Sequence, residues 1–128
     1  MKKLLGVLVD VEKEEAKVIE INDDLNEFYR VLNCDTIDIV TRRVGKKLVS
    51  IICDDEGLFK DEPKISAIDN RGNVMLVGNL FIVSGETDGD GDLVSLTNAE
   101  SKYIMERVKT MYTRIFPDGY PMLTQCEY

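Results

Sequence analysis

The 128-residue sequence has no histidine and no tryptophan, and its three cysteines form no CxxC pair. Without histidine, the chain has neither the commonest general base nor the commonest zinc ligand. Ser-His, Cys-His and His-metal chemistry are therefore excluded, which leaves carboxylate, lysine or tyrosine chemistry to an enzyme. We accordingly expect a non-enzymatic protein with no catalytic residues, no metal site and no cofactor.

The odd number of cysteines is a poor basis for a disulfide framework. Cys34 and Cys53 lie in apolar stretches, which predicts that they are small core residues. Cys126 lies close to the last residue and is predicted to be an incidental thiol.

The sequence also lacks an apolar run of the ~20 residues that a membrane-spanning helix needs. Its first residues, Met1 to Val9, imitate the start of a signal peptide. However, Asp10 ends the apolar run, and no small-residue cleavage site follows. We therefore expect the protein to be cytoplasmic.

Positive charge is in short supply, because 16 basic residues face 24 acidic ones and the formal net charge is −8. DNA and anionic membranes would repel such a chain at long range. We therefore expect no direct DNA binding and no membrane binding. The charge suits a protein that meets a basic surface.

The first half of the chain has the pattern of two antiparallel hairpins with a helix between them. The predicted strands are Lys3–Asp10, Ala16–Ile21, Thr36–Val44 and Lys47–Cys53. Asn22 is the predicted N-cap of the helix and Asn33 its end, because Leu25, Phe28 and Leu32 share one helical face.

The second half is predicted to be less regular. Leu58–Asn70 has no clear period and is expected to hold only a helical turn around Ile65 and Ile68. Val74–Ser84 is predicted to be one strand with a bulge at Gly78-Asn79. Thr97 and Glu100 have the spacing of a capping box, which predicts a helix from there to about residue 115.

The order of these elements, ββαββ-loop-β-α, predicts an α+β fold. We expect a single domain over residues 1–116, with a mostly antiparallel five-stranded sheet and two helices packed on it. The last dozen residues, 117–128, contain two prolines and no clear period. They are predicted to be a C-terminal tail.

Several segments of the chain form a recognisable set. They are the N-terminal strand pair, the helix after an Asn-Asp start, the run IICDDEG, the stretch from Pro63 into VGNLFIVSG, and Ser95-Leu96-Thr97 before a helix with an inner tyrosine. In these segments the chain resembles one family of small proteins, DUF3846. Many family members carry an Asn-Arg pair where this chain has Lys64-Ile65, so a site built on that pair is not expected here.

The resemblance to DUF3846 implies a setting rather than a reaction. It implies a phage, prophage or plasmid origin and the cytoplasm of a bacterial host cell. Proteins of that origin often counter host defence, either by binding a host protein or by sequestering a nucleotide signal.

The one basic cluster of the acidic chain is the predicted tip of the second hairpin. This hairpin tip comprises Arg42, Arg43, Lys46 and Lys47. Its cations could bind the phosphates of a nucleotide-like ligand, because arginine offers bidentate contacts. The alternative is an ordinary charged hairpin end that protects a sheet edge, and strand alternation would not place all four side chains on one face.

Asn79 is a second candidate ligand-binding residue, since a polar amide inside an apolar strand could recognise a ligand; a packing bulge is the alternative.

The acidic loop Asp88–Asp92 starts like an EF-hand. It has Leu93 where glycine is required and Ala99 where glutamate is required. An EF-hand is excluded, and a solvated turn is the better interpretation. A weak cation site of another kind is the alternative, because carboxylates at alternate positions can converge on a hard cation.

Two functional hypotheses follow. In the first, a mobile-element protein, acting in counter-defence, binds a small nucleotide-like ligand as a homo-oligomer whose second subunit completes a shallow pocket. In the second, the acidic surface inhibits a basic host protein, such as a defence protein or a nucleic-acid-binding protein. An enzyme is the third and least favoured hypothesis.

Overall fold

Two antiparallel hairpins occupy the first half of the chain, as the apolar alternation predicts. The computed structural model describes residues 2–56 and 63–128. Its first four strands are β1 (Lys3–Asp10), β2 (Glu15–Asn22), β3 (Ile37–Val44) and β4 (Lys47–Asp54). β1 pairs with β2 and β3 with β4, so both predicted hairpins are confirmed.

The first helix, α1 (Leu25–Leu32), lies between the hairpins, but its predicted N-cap was wrong. Asn22 is the last residue of β2 and pairs with Lys3, so the strand ladder already uses its backbone. Asp24 occupies the N-cap position instead. Asn33 ends the helix in the left-handed conformation, as expected for a C-cap asparagine.

The apolar stretch predicted to be one strand is two strands that belong to different sheets. β6 (Val74–Val77) and β7 (Leu80–Thr87) are separated by Gly78, whose φ is +89°. This backbone conformation costs glycine little and lets the chain turn sharply. The predicted bulge at Gly78-Asn79 is therefore a crossing point between two sheets.

Two other predictions for this half of the chain were wrong. A strand, β5 (Ile65–Ile68), replaces the predicted helical turn, while residues 58–62 of that segment lie outside the described residues. After the short β8 (Leu93–Val94), the predicted capping box of α2 (Asn98–Met105) is confirmed. The helix ends ten residues early, because the chain from Val108 to Met111 forms β9.

The last dozen residues do not form a tail. They contain β10 (Tyr120–Leu123) and β11 (Cys126–Glu127). β10 pairs with β9 and β5, and β11 pairs with β3. Cys126 is not the incidental thiol that was predicted. Its side chain is fully buried in the core, and the residue pairs with Val44 of β3.

The strands form two sheets, not the single five-stranded sheet predicted. The first sheet has seven strands in the order β11-β3-β4-β7-β1-β2, with β8 beside β7. The second sheet has four strands in the order β6-β5-β10-β9. The pairing is antiparallel throughout except between β5 and β10, so the predicted α+β class with two helices is confirmed.

Alternate residues of the first sheet face two separate parts of the core. Val7, Ile51 and Ile82 point to the side of the second sheet and α2, and they belong to the larger apolar cluster. Leu8 and Phe81 point the opposite way and pack with Phe28 of α1 and other residues. The first sheet is thus the middle layer between α1 and the second sheet.

No helix in the described part of the chain is both long enough and apolar enough to cross a membrane.

Candidate functional site

The hairpin tip is held rigidly against α2. Gly45 begins the turn with φ +60°, and the Lys46 backbone N–H donates to the Tyr103 hydroxyl at 2.8 Å. A Cβ atom on Gly45 would lie 2.5 Å from that hydroxyl and 2.6 Å from Nε of Arg107. Glycine is therefore required both for the backbone conformation and for the close approach of the helix.

The four cations of the hairpin tip are dispersed rather than gathered. Lys47 is ion-paired with Glu100 of α2, and their mutual hydrogen bond raises the pKa of Lys47 and lowers the pKa of Glu100. The Arg42 guanidinium lies 4.7 Å from the centre of the Tyr128 ring. Of the four, Arg43 and Lys46 are exposed and Arg42 and Lys47 are half-buried, so the structure presents two exposed cations to a phosphate instead of four.

Asn79 is buried, with 1% of its surface exposed, and its amide bonds to three backbone groups. Its Oδ1 accepts the Val11 N–H at 2.9 Å and the Glu12 N–H at 3.4 Å, and its Nδ2 donates to the Leu32 carbonyl at 3.2 Å. The side chain thereby joins the β1–β2 turn to the end of α1. In this arrangement the Asn79 amide is used to hold two segments of the backbone together.

The acidic loop forms the solvated turn that the sequence favours. Oδ1 of Asp88 accepts the backbone N–H groups of Asp90 and Asp92 at 2.9 and 3.0 Å, and these bonds lower the pKa of Asp88. All three carboxylates are exposed. The loop is thus explained by its own hydrogen bonds, and we assign no ligand to it.

Two adjoining grooves lie where β3 begins and β4 ends. The first, of about 620 Å³, separates the end of α1 from the end of β4 and includes Tyr29, Asp35 and Glu56. The second, of about 360 Å³, separates β3 from β6 and includes Asp38 and Asp55. Asp54 lines both grooves, which therefore form one continuous feature that we call the acidic cleft.

Carboxylates outnumber cations among the described residues of the acidic cleft. Its acidic residues are Asp35, Asp38, Asp54, Asp55 and Glu56. Its basic residues are Arg30, which is paired with Glu27 at 3.0 Å, and Arg42. Carboxylates crowded into a concave surface focus a negative potential there, so the cleft suits a cationic group.

The thiol of Cys53 lies against this negative surface. Burial raises its pKa to about 11, and the carboxylates of Asp38, Asp55 and Asp54 act in the same direction while Arg42 opposes them. Burial likewise raises the pKa of the Cys126 thiol to about 11. Both thiols are therefore protonated near neutral pH, and none of the three cysteines forms a disulfide.

We expect iodoacetamide at pH 8 to modify Cys34 before Cys53 and Cys126. Cys34 is partly exposed, whereas the other two thiols are buried and their pKa values are about 11. Only the thiolate reacts. Mass spectrometry of the native chain should show one fast site, and denatured chain should show three; equally fast reaction of Cys53 in the native chain would contradict the packing.

The acidic cleft was not predicted from the sequence, because its acidic residues are also typical of turns. A signal was nevertheless present, since the residues before β3 and after β4 must meet at the open end of that hairpin. Asp35 and Asp38 lie at the start of β3, and Asp54, Asp55 and Glu56 at the end of β4. Acidic residues at both places predict one negative surface.

Fold and surface together define an α+β protein of two unequal sheets with an open acidic cleft. The chain belongs to the family described as a domain of unknown function, DUF3846, whose model matches residues 1–112. The resemblance seen in the sequence is thus confirmed. No curated protein and no solved structure matches the chain.

Proposed function

We propose that the protein is a non-enzymatic inhibitor that binds a basic protein through its acidic cleft. The observation that carries this proposal is the set of five carboxylates around the two joined grooves. Asp35, Asp55 and Glu56 are exposed to solvent. They can attract a cationic surface, but they lack the water-excluded setting in which catalytic carboxylates work.

The setting that we propose is the cytoplasm of a bacterium that carries a phage, prophage or plasmid. There the protein would counter host defence by masking a basic host protein, such as one that binds nucleic acid. The net charge of −8 supports this proposal, because complementary charge accelerates encounter with a basic partner.

The test compares two triple variants that change the net charge equally. The cleft variant carries Asp35→Asn, Asp55→Asn and Glu56→Gln. The control variant carries Glu86→Gln, Asp90→Asn and Asp92→Asn, which are exposed residues in and near the acidic loop. Each variant removes three negative charges, so they differ only in where the charge is lost.

We expect the cleft variant to bind a basic host partner at least about tenfold more weakly, since rim and cleft charges each contribute up to about 1 kcal/mol. The control variant should bind like the wild type. Affinity should be measured with partners captured from host lysate and then purified, at several salt concentrations, and it should fall as salt rises. Equal losses in both variants would show that net charge alone acts and would overturn the cleft proposal.

A second candidate function is the binding of a small nucleotide-like ligand at the hairpin tip. The supporting observation is that Arg43 and Lys46 are exposed on a turn that α2 holds rigid. A second subunit would complete such a shallow site, so this version includes a homo-oligomer. The tests are native mass spectrometry for co-purified nucleotide, thermal shift with a nucleotide panel, and light scattering for subunit number.

A double variant of the hairpin tip separates the two candidates. Alanine at the two exposed cations, Arg43 and Lys46, should abolish nucleotide binding but leave the binding of a basic protein intact. If no nucleotide shifts the melting temperature of the wild type, the second candidate should be abandoned.

A further inference from the structure

β6 is the terminal strand of the second sheet, and one of its edges borders the acidic cleft. β5 pairs with one edge, and no strand in the described part of the chain pairs with the other. Four consecutive residues, Val74, Met75, Leu76 and Val77, line the second groove. Because successive side chains of a strand point to opposite faces, a groove lined by all four borders the backbone edge rather than one face.

The opposite wall of the second groove is the inner face of β3. Asp38, Val40 and Arg42 alternate along that face and point towards β6. Val40 is only partly buried against the larger apolar cluster. A strand added beside β6 would extend the second sheet over Val40, in the groove that Asp38 and Asp55 also line.

The neighbouring edge of β3 is protected by side chains of β3 itself, whereas β6 has no polar side chain of its own for that purpose. Oδ1 of Asp38 accepts the Ile39 N–H at 2.9 Å, and Nη1 of Arg42 donates to the Thr41 carbonyl at 2.8 Å. These side chains occupy backbone groups that another strand could use. β6 has the sequence VMLV, with neither the charge nor the proline that usually guards a sheet edge.

We propose that β6 receives an extended segment of the basic partner, which adds to the second sheet as a further strand. On its side towards β3, the segment would carry a lysine or arginine residue opposite Asp38 and, two positions along, an apolar residue opposite Val40. Backbone hydrogen bonds supply affinity in this mode of recognition, and the side chains supply selectivity. This proposal rests on the proposed function, because the charge of the cleft selects the occupant.

The probe is the peptide acetyl-Lys-Lys-Val-Lys-Val-Lys-amide, used with the full chain, because its first and third residues place a lysine and a valine on the same side. Two isomers carry N-methyl groups, either on residues 1, 3 and 5 or on residues 2, 4 and 6 of the peptide. The amides of alternate residues in a strand point to opposite edges, so only one isomer loses its donors to β6. Both isomers keep the charge and the side chains of the parent peptide.

We expect one N-methylated isomer to bind at least about tenfold more weakly than the parent peptide, because it loses one or two net hydrogen bonds. The affinity of the other isomer should lie within about threefold of that of the parent. Hydrogen exchange should slow at Val74–Val77 on binding. Val74→Lys places a charge on the exposed side of β6 and should weaken binding by at least about tenfold. Val18→Lys, the same change at an exposed site of β2, should not.

The outcomes separate strand addition from the proposed function. If both isomers bind like the parent, or if protection falls on β2 instead of β6, strand addition is overturned. The cleft charges can still prove necessary in that case, and the proposed function then stands. If one isomer fails but the cleft triple variant binds the peptide normally, strand addition stands and the role of the cleft charges is wrong. Failure of the parent peptide to bind overturns strand addition.

Discussion

A chain shortened to residues 1–116 is expected to lose its cooperative unfolding transition. The missing residues include the four buried side chains of Tyr120, Met122, Leu123 and Cys126. Burying a large apolar side chain contributes about 1.5–3 kcal/mol, so their loss removes on the order of 5–10 kcal/mol. The whole free energy of unfolding of a domain is about 5–15 kcal/mol. Circular dichroism during thermal and urea unfolding would measure the effect.

Two milder variants serve as controls for this truncation. Removal of Tyr128 alone takes away an 88% exposed side chain and its contact with Arg42, and it should cost less than about 1 kcal/mol. Leu123→Ala should cost about 2–5 kcal/mol, because it leaves a cavity in the core. A shortened chain that unfolds cooperatively with wild-type stability would show that residues 117–128 are the tail that their composition suggests.

Asn79→Ala is expected to reduce the free energy of unfolding by about 3 kcal/mol. The substitution leaves the Val11 N–H and the Leu32 carbonyl without their side-chain partner in the interior. Each buried backbone group left unpaired costs about 1–3 kcal/mol. Urea unfolding should therefore show a lower midpoint with an unchanged slope.

Asn79→Asp separates the effect of the accepting oxygen of Asn79 from that of its donating amide nitrogen. Aspartate keeps an oxygen for the Val11 N–H but has no amide donor for the Leu32 carbonyl, and it would be a buried acid. We expect it to destabilise the fold as well, whereas Asn98→Ala at an exposed position should change stability by less than about 0.5 kcal/mol. If Asn79→Ala folds with wild-type stability, a ligand-recognition role for Asn79 regains its basis.

The two buried thiols give stability a dependence on alkaline pH. The folded-state pKa values of Cys53 and Cys126 are about 11, above the ~8.5 of an unfolded thiol. A group with a raised folded-state pKa contributes stability fully below its unfolded pKa and loses it as pH rises. Urea unfolding should show this decline between about pH 8.5 and 11, and Cys53→Ala together with Cys126→Ala should reduce it.

The first sheet was largely predictable because its hairpins join neighbours in the sequence. Each strand of Lys3–Asp10 and Glu15–Asn22 is long enough for apolar alternation to show, and Gly45 marks the second turn. Residues close together in the sequence were therefore enough to predict how these strands pair. The capping box at Thr97 was predictable for the same reason.

The second sheet was not predictable from such signals. Its strands have four residues each, and β5 and β10 come together from distant parts of the chain through Ala67 and Leu123. Four residues are too few to show a period. The run VMLVGNLFIVS likewise gives no sign that it divides between two sheets, because both halves are apolar.

The candidate site was also only partly predictable, because some of its contacts come from distant parts of the sequence. The four basic residues at the hairpin tip suggested one basic patch. However, Glu100 of α2 pairs with Lys47, and Tyr128 lies against Arg42. Neither partner is close to the tip in sequence. The acidic cleft depends on a short-range pairing instead, that of β3 with β4, and is therefore the part of the site that sequence reasoning could have reached.

The central place of β10 also determines the order in which the protein can fold during synthesis. β10 joins β9 to the β5–β6 pair, yet it is synthesised after all of the other described strands except β11. The β1–β2 and β3–β4 hairpins are complete earlier, and each pairs strands that are neighbours in the sequence. The nascent chain therefore exposes the apolar face of its first sheet until β10 arrives, and it depends on rapid completion or on chaperones to avoid aggregation.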